Sequence, residues 1–336
     1  MTSDFVSNNS NEEISRLLHD ANRVLIISHI RPDGDAIGSL LGLGLTLVAG
    51  GKSVEMVLRD GIPLKFRYLP GADRITSTPS MAHDTFIVVD SGDLYRIGFE
   101  HLNLVPDLQI DHHATNPCYG RLNFVMPDEA ATCIMLAEML PKWGFSIPVD
   151  AAVNLMTGIL TDTIGFRTSS TNANALRQAA NLVDLGVDLP AVTFEALVKL
   201  SFENARYWGR GLTSLQRKDT LVWAVVTPED RAWADFPSVD DGDLTDILSS
   251  IQDADISVLF NVHGPTTTKV SWRSKPGFDV SLLANSFGGG GHTAAAGADL
   301  DLPLDQAMEL VLAATERKIL EVNQTNLPVG ENSKNG

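Results

Sequence analysis

The sequence predicts an α/β protein that consists of an N-terminal domain built on a parallel sheet and a smaller C-terminal α/β domain, joined by a helical linker. Short uninterrupted apolar segments alternate with longer helical patterns in the first half of the chain, which is typical of strands buried on both faces of a parallel sheet. A second group of strand and helix patterns follows residue 218. The chain of 336 residues, 44% of them hydrophobic, is long enough for two separate cores.

The elements of the first domain follow from the periodicity of its apolar residues and from the polar turns between them. Strands are predicted at residues 24–27, 53–58, 85–89 and 108–110, and a short surface segment at 64–69. Helices are predicted at residues 11–20, 36–49, 129–140, 149–160 and 172–185. Gly42 and Gly44 lie inside the second helix, where glycine costs about 1 kcal/mol relative to alanine. We therefore expect that helix to approach the sheet closely.

The second half of the chain predicts a linker helix at residues 192–215, followed by a smaller set of elements. Its strands are predicted at residues 221–227, 256–262 and 267–272, and its helices at 244–251 and 304–321. The resulting domain boundaries are a disordered segment 1–10, a first domain 11–187, a linker 188–218, a second domain 219–322 and a disordered tail 323–336.

The charge and the apolar pattern restrict the environment and the partners of the protein. A net charge of −17 disfavours long duplex DNA as a partner, because such a ligand requires a basic face. The polar N-terminal segment predicts no signal peptide, and the apolar run 40–49 is too short to span a membrane. Cys118 and Cys133 predict two buried thiols in a reducing compartment, without a disulfide framework. We expect a cytoplasmic protein without a membrane partner, and the sequence leaves a homodimer open.

Carboxylates and imidazoles follow three predicted strands and one predicted helix of the first domain. These residues are His29, Asp33, Asp35, Asp90, Asp111, His112, His113 and Asp162. Since the carboxyl ends of parallel strands meet at one edge of a sheet, we expect the side chains to converge there. A donor set of imidazole and carboxylate without thiolate suits Mn²⁺, with Mg²⁺ or Co²⁺ as alternatives. Taken alone, the Asp33-Gly34-Asp35 turn is equally compatible with a solvated helix cap, and Gly34 is expected to permit a tight turn there.

The order and spacing of these motifs resemble those of the DHH phosphoesterase superfamily, which includes RecJ-type nucleases, family II inorganic pyrophosphatases and small oligoribonuclease/pAp-phosphatase enzymes. The matching motifs are His29-x3-Asp33-x-Asp35, Asp90, Asp111-His112-His113 and Asp162. The resemblance implies two Mn²⁺ ions, one held by His29, Asp33 and Asp90, and one held by Asp35, Asp90, His112 and Asp162. It also implies that His113 contacts the substrate phosphate during catalysis and that Asp111 orients an imidazole.

Two features of the second domain extend the resemblance. A predicted strand leads into Arg273 and Ser274, and four glycines, Gly288 to Gly291, precede His292. Consecutive glycines permit close backbone approach and leave amides free for an anion, and we expect the Ala-rich segment after His292 to start a helix that favours phosphate. The resemblance implies that Arg273 and His292 serve catalysis and that the substrate contacts are Arg273, Ser274, Gly289, Gly290, Gly291 and His292. Arg167 is either a further phosphate contact or a member of an exposed ion pair.

The resemblance implies an enzyme that hydrolyses oligoribonucleotides of a few nucleotides to nucleoside 5′-monophosphates, or removes a phosphate from 3′-phosphoadenosine 5′-phosphate (pAp), or does both. The basic motif of family II pyrophosphatases and the additional domain of RecJ are not found in the sequence. Hydrolysis of linear or cyclic dinucleotides is the alternative activity. A binding module that has lost turnover is a further alternative, although every ligand position of the motif is filled.

Overall fold

A computed structural model describes residues 10–80, 82–99 and 105–325 of the chain. The chain divides into two compact units, Met1–Lys199 and Leu200–Gly336. Residues 1–9 and 326–336, which belong to the predicted disordered ends, lie outside the described residues. Ser10, in contrast, caps the first helix, and residues 323–325 continue the last helix. The predicted α/β class is confirmed by the sheets and helices of the two units.

Six parallel strands form the sheet of the first unit. They are β1 (Arg23–Ile27), β2 (Ser53–Val57), β3 (Ile75–Thr76), β4 (Thr85–Val89), β5 (Leu108–Asp111) and β6 (Leu122–Val125). Their order in the sheet is β3–β2–β1–β4–β5–β6, so the direction of winding reverses between β1 and β4. In open α/β sheets, ligands bind at such a switch point, at the carboxyl ends of the strands. The sequence did not predict β3, which has two residues, or β6, which contains a buried asparagine.

Helices of the first unit pack against one face of the sheet, and the other face is covered by Ile97 and Phe99 from the segment after β4. The helices are α1 (Asn11–Asp20), α2 (Gly34–Ala49), α3 (Thr132–Lys142), α4 (Val149–Asp162), α5 (Ala173–Asp184) and α6 (Leu189–Thr193). Alternate residues of β1 enter different apolar clusters, with Val24 and Ile26 in the larger and Leu25 and Ile27 in the smaller. This two-sided burial is the reason that the strands appear as uninterrupted apolar runs.

Glycines bring α2 into direct contact with its neighbours. A Cβ on Gly42 would lie 2.5 Å from Leu155 of α4, and a Cβ on Gly44 would overlap the side chain of Met56 on β2. Gly44 therefore allows the expected close approach of α2 to the sheet. Gly42 instead allows the close approach of α4 to α2. Gly34 is the first residue of α2 and lacks a positive φ, so the expectation of a tight turn is wrong. A side chain at Gly34 would instead collide with Thr161 of α4.

The helical linker is interrupted, which corrects the prediction of one helix over residues 192–215. After α6, a π-helical turn covers Phe194–Val198, and Lys199 adopts an extended conformation (φ −60°, ψ 119°). A new helix, α7 (Phe202–Thr213), then begins with Ser201 as its N-cap. The Ser201 hydroxyl accepts a 3.0 Å hydrogen bond from the N–H of Asn204, which satisfies one of the free donors of the first turn.

The second unit has its own six-stranded sheet. Its strands are β7 (Gln216–Lys218), β8 (Leu221–Val226), β9 (Ile256–Gly264), β10 (Thr267–Ser274), β11 (Gly290–His292) and β12 (Ala295–Leu300). The order is β11–β12–β10–β9–β8–β7, and only β8 and β9 are parallel neighbours. Its remaining helices are α8 (Pro228–Ala234), α9 (Leu244–Ser249), α10 (Ser281–Ser286) and α11 (Leu304–Thr325). The sequence patterns did not predict β7, β11, α8 and α10, because these elements are short or polar.

The Ala-rich segment after His292 is a strand, so the prediction of a helix there is wrong. Ala296, Ala298 and Leu300 of β12 are buried in the core of the second unit and alternate with more exposed residues. Period-two burial is the pattern of a strand, and antiparallel pairing with β10 outweighs the helical propensity of alanine.

Within the described ranges, no helix combines the length and apolar character needed to cross a bilayer. Both cysteines are free, as the sequence predicts, but only Cys133 is buried, since Cys118 is partly exposed.

Candidate active site

The carboxyl ends of β1, β4 and β5 bring the predicted acids and histidines of the first unit together. Asp90 follows β4 directly and has a left-handed backbone (φ 51°), a conformation that is costly for a non-glycine residue and is concentrated at functional sites. Its N–H still donates a 2.9 Å hydrogen bond to the carbonyl of Ile110 on β5. The chain thus holds the Asp90 carboxylate, which is 1% exposed, at the switch point of the sheet.

His29, Asp33 and Asp90 form the first cluster of potential ligands. Nε2 of His29 lies 3.6 Å from Oδ2 of Asp90 and 3.9 Å from Oδ2 of Asp33. Nδ1 of His29 is 2.8 Å from the carbonyl oxygen of Ile30, so it donates there and leaves the Nε2 lone pair for a cation. Oδ1 of Asp33 accepts from the N–H groups of Asp35 and Ala36, which means that Asp33 also caps α2.

Asp35, His112 and Asp162 form the second cluster. Nε2 of His112 lies 3.4 Å from Oδ2 of Asp162 and 4.0 Å from Oδ2 of Asp35. It also lies 3.6 Å from Oδ1 of Asp90, whose other oxygen faces His29. The 3.1 Å contact between Nδ1 of His112 and the carbonyl of Glu129 assigns the proton to Nδ1. Asp90 therefore lies between the two clusters, with one oxygen toward each.

The N-terminus of α3 supports both clusters, and the sequence patterns did not reveal this role. Oδ2 of Asp35 accepts a 2.6 Å hydrogen bond from the N–H of Thr132, and Oδ1 accepts a 2.9 Å hydrogen bond from the N–H of Cys133. The Thr132 hydroxyl donates to Oδ1 of Asp90 at 3.0 Å. A threonine at the start of an apolar helix is common, so its type and position carry no signal of this contact.

His113 is held by a buried acid rather than by the two clusters alone. Its Nδ1 lies 2.7 Å from Oδ1 of Asp111, and Asp111 is fully buried. The side-chain amide of Asn116 donates to the other oxygen of Asp111 and, at 3.2 Å, to the carbonyl of Ser91. Asp111 thus orients an imidazole, which leaves Nε2 of His113 as the nitrogen available to a ligand. Asn116, five residues after Asp111, was missed because a lone asparagine in a loop predicts only a turn.

The electrostatics of the first unit depend on crowded carboxylates. Burial raises the pKa of Asp35, and the charge of Asp90 raises it further. Burial likewise raises the pKa of Asp162, with repulsion from Asp35 as the next cause. Burial alone would also raise the pKa of Asp90, but neighbouring His29 and the charges on His112 and His113 hold that pKa well below its usual value.

The pKa values of His29 and His113 are lowered by burial and raised by the neighbouring carboxylates. Burial favours neutral imidazole, but Asp90 and Asp33 outweigh it and raise the pKa of His29. For His113, burial is similarly outweighed by Asp111 and Asp90, while the nearby charge of Arg96 lowers its pKa. Arg96 is therefore a cation within electrostatic reach of His113.

The donor set fits divalent cations. Each of these two clusters contains one imidazole nitrogen oriented by a backbone carbonyl, together with carboxylate oxygens, and a third group joins Asp90 to both His112 and His113; none of the three contains a thiolate. Asp35 and Asp90 are fully buried acids, and no lysine or arginine forms an ion pair with either carboxylate in the described part of the chain. A hard cation is the partner that such a group of oxygens requires.

In the second unit, Arg273 and His292 occupy matching registers. Arg273 of β10 and His292 of β11 both pair with Ala295 of the intervening β12. The Arg273 guanidinium lies 3.2 Å from the Thr245 hydroxyl and 3.7 Å from Oδ1 of Asp246. The sheet thus places the two predicted residues at the same level on the two strands that flank β12.

The other predicted contacts of the second unit have local partners. The hydroxyl of Ser274 lies within hydrogen-bond distance of the carbonyls of Phe278 (2.8 Å) and Thr293 (3.2 Å). A Cβ on Gly289 or Gly291 would collide with the backbone of β12, so these glycines are required by strand packing. Gly290 has open space around its Cβ position beyond one contact at 3.7 Å. In the first unit, Arg167 is exposed, and its Nε donates to the carbonyl of Ile164 at 2.7 Å.

The fold and the site together define a class of protein: α/β phosphoesterases with paired clusters of carboxylate and imidazole at the switch point of a parallel sheet. The model of the DHH family, N-terminal domain, matches residues 23–159, and that of the DHHA1 domain matches residues 237–321. A bifunctional oligoribonuclease and PAP phosphatase NrnA from Thermus thermophilus is 35% identical over 306 residues, which cover 88% of this chain and 90% of the relative. The chain belongs to the DHH family.

Two further comparisons concern a more distant relative and a solved structure. A probable manganese-dependent inorganic pyrophosphatase from Streptococcus agalactiae is 27% identical over 190 residues, which cover 52% of this chain and 60% of that protein. The crystal structure of an exopolyphosphatase-related protein from Bacteroides fragilis superimposes with a TM-score of 0.87 at 24% identity, covering 93% of this chain and 97% of that one. The latter similarity establishes the fold over both units.

Proposed function

We propose that the protein is a Mn²⁺-dependent phosphoesterase that hydrolyses oligoribonucleotides of a few nucleotides to nucleoside 5′-monophosphates and dephosphorylates pAp. The observation that carries this proposal is the position of Asp90, with one oxygen 3.6 Å from His29 and the other 3.6 Å from His112. The name of the Thermus thermophilus relative, which is similar over most of both chains, supports the choice of substrates.

Two Mn²⁺ ions are the proposed cofactors. His29, Asp33 and Asp90 would hold one, and the other would be held by Asp35, Asp90, His112 and Asp162. Bound there, such ions supply the activation of water and the neutralisation of phosphoryl charge that phosphoester hydrolysis requires. The manganese-dependent pyrophosphatase relative supports this metal, and Mg²⁺ and Co²⁺ have the same preference for these donors.

The remaining proposed residues act on the substrate. His113 would donate a hydrogen bond from Nε2 to a phosphoryl oxygen, with Asp111 stabilising the protonated imidazole. Arg273 and His292 would bind a substrate anion from the second unit, together with the backbone of Gly289, Gly290 and Gly291. Ser274 would position the loop whose carbonyl at Phe278 accepts a hydrogen bond from its hydroxyl. Arg167, whose Nε donates to the carbonyl of Ile164, would contribute a positive charge near Asp162.

The decisive experiment assays the purified protein with Mn²⁺ on pAp, a 5′-phosphorylated dinucleotide, a cyclic dinucleotide and a long single-stranded RNA, with chromatographic identification of products. We expect release of nucleoside 5′-monophosphates from the dinucleotide and of phosphate from pAp, and much slower cleavage of the long RNA because the chain carries a net charge of −17. Equal rates on long RNA, or a preference for the cyclic dinucleotide, would contradict the proposal.

A further inference from the structure

A single turn of 3₁₀-helix, Tyr95–Ile97, is tied to the loops that carry the acidic clusters. The carbonyl of Arg96 accepts a 2.7 Å hydrogen bond from the N–H of Ile30, the residue after His29. The N–H of Arg96 donates to Oδ1 of Asp93, in the loop that follows β4, at 2.9 Å. This turn therefore lies beside the first cluster and is anchored to it through the backbone.

The ring at the start of this turn is free to meet a ligand. Tyr95 is 77% exposed, the highest value among the exposed large apolar side chains of the described residues. Neither a stacking partner nor a hydrogen bond engages its side chain within the described part of the chain. An isolated exposed aromatic residue needs no explanation, so its surroundings decide its significance.

Three arginines lie in the turn or next to residues that contact it. Arg31 follows Ile30 and is exposed, and Arg96 is half-buried beside Tyr95. Nη1 of Arg59 lies 2.9 Å from the position of a Cβ on Gly98, the residue that ends the turn. Among the described residues, none of these guanidiniums has a carboxylate partner. A local group of unpaired cations is notable in a chain with a net charge of −17, because surplus acids are available to pair with them.

We propose that Arg31, Arg59, Tyr95 and Arg96 form a rim that binds the oligonucleotide next to the scissile phosphate, with Tyr95 stacked on a nucleobase and the arginines on phosphates. This inference rests on the proposed function. Aromatic stacking accepts every base, and the planar guanidinium matches phosphate oxygens, so the rim suits a short single strand of any sequence. A protein partner does not fit, because a stable protein interface buries about 800 Å² per partner and this surface offers one exposed ring.

The test is a double-mutant cycle in which the ring of Tyr95 and one base of the substrate are removed separately and together. KM and kcat are measured for the wild type, Tyr95→Ala and Tyr95→Phe with a 5′-phosphorylated dinucleotide and with two analogues that each lack one base. Tyr95→Ala should raise KM for the intact dinucleotide roughly five- to a hundred-fold, as expected for loss of one stacked base, with kcat and bound Mn²⁺ unchanged. Tyr95→Phe should retain the wild-type KM. With one of the two analogues, wild type and Tyr95→Ala should have the same KM.

Val149→Ala serves as the matched control. Val149 is 48% exposed and begins α4, about 20 Å along the helix from Asp162, so its truncation should change no parameter. Arg96→Ala should raise KM for the dinucleotide and for both analogues alike, since all three keep their phosphates.

The inference is overturned if Tyr95→Ala leaves KM unchanged, or if its effect persists with both analogues. Calorimetry can measure the dissociation constants of the same variants and ligands. These constants test whether Tyr95 stacks on a base even when the wild type shows no turnover. Absence of hydrolysis by Mn²⁺-loaded wild type therefore counts against the proposed function, and absence of coupling between Tyr95 and a base counts against the rim.

Discussion

The hydroxyl of Thr132 donates a 3.0 Å hydrogen bond to Oδ1 of Asp90, the carboxylate that lies between the two clusters. Both residues are buried, and the same oxygen of Asp90 lies 3.6 Å from Nε2 of His112. Because the backbone N–H of Thr132 also holds Asp35, one residue at the start of α3 orients an acid of each cluster.

Thr132→Val removes this hydroxyl while keeping the shape of the side chain. A hydrogen bond to a charged group contributes about 1.5–3 kcal/mol, so we expect Mn²⁺ affinity to fall roughly ten- to a hundred-fold. Titration calorimetry measures the affinity, and Thr132→Ser, which keeps the hydroxyl, should behave like the wild type. Equal affinities for the valine and serine variants would show that the hydroxyl is dispensable.

Asp90→Ala should abolish the binding of two ions and hydrolysis together, because it removes a carboxylate of the first cluster whose other oxygen lies 3.6 Å from His112 of the second. Elemental analysis after dialysis gives the bound Mn²⁺, and turnover is measured on pAp and a dinucleotide. Asp150→Asn is the control, since Asp150 is exposed in the first turn of α4. Two tightly bound ions with normal turnover in Asp90→Ala would contradict the role given to this residue.

Gly158→Ala should destabilise the first unit. The added Cβ would overlap Sγ of Cys133 and lie 2.8 Å from Oδ1 of Asp35, and overpacking of this kind costs about 1–3 kcal/mol. Urea unfolding of the metal-free protein measures the change. Gly209→Ala offers a matched control, because Gly209 lies inside α7 with no atom near its Cβ position and alanine there should stabilise by about 0.5–1 kcal/mol. If Gly158→Ala left the free energy of unfolding unchanged, α2, α3 and α4 would be able to move apart without loss of stability.

Arg273→Ala should leave Mn²⁺ content intact and lower kcat/KM, since loss of a charge-assisted phosphate contact costs about 1.5–3 kcal/mol. His292→Ala is expected to behave similarly. Arg217→Ala is the comparison, because Arg217 is exposed on β7 and pairs only loosely with Asp253 at 3.5 Å. Loss of metal in Arg273→Ala would place that residue in the metal site instead of the substrate site.

Removal of metal should lower the thermal stability of the protein. An ion that binds only the folded state stabilises it by about 2.7 kcal/mol at a concentration one hundred times its Kd. Melting curves with chelator and with added Mn²⁺ measure the difference, and Asp162→Asn should show a smaller gain than the wild type. Identical melting temperatures with and without Mn²⁺ would argue against metal bound by the buried acids.

Elements whose structure follows from their own residues were predicted correctly, and elements whose structure depends on distant strands were not. The strands β1, β4 and β5 were predictable because burial on both faces makes their residues uniformly apolar. The segment after His292 was not, because alanine favours a helix in isolation and only pairing with β10 makes β12 a strand. Likewise, the glycines of Gly288 to Gly291 indicated a ligand loop, whereas Gly289 and Gly291 are needed for contact with β12.

The sequence by itself determined the class of fold and the set of acids and histidines at the switch point, because strand ends are local features and parallel strands share one edge. Only the tertiary structure decided which atoms support them: Thr132 on Asp90, Asn116 on Asp111, and Glu129 on His112. These partners are separated from the groups they hold by 42, 5 and 17 positions in the chain, respectively. Their contacts arise when α3, the segment between β6 and α3, and the loops after β4 and β5 pack together, which no periodicity in the sequence encodes.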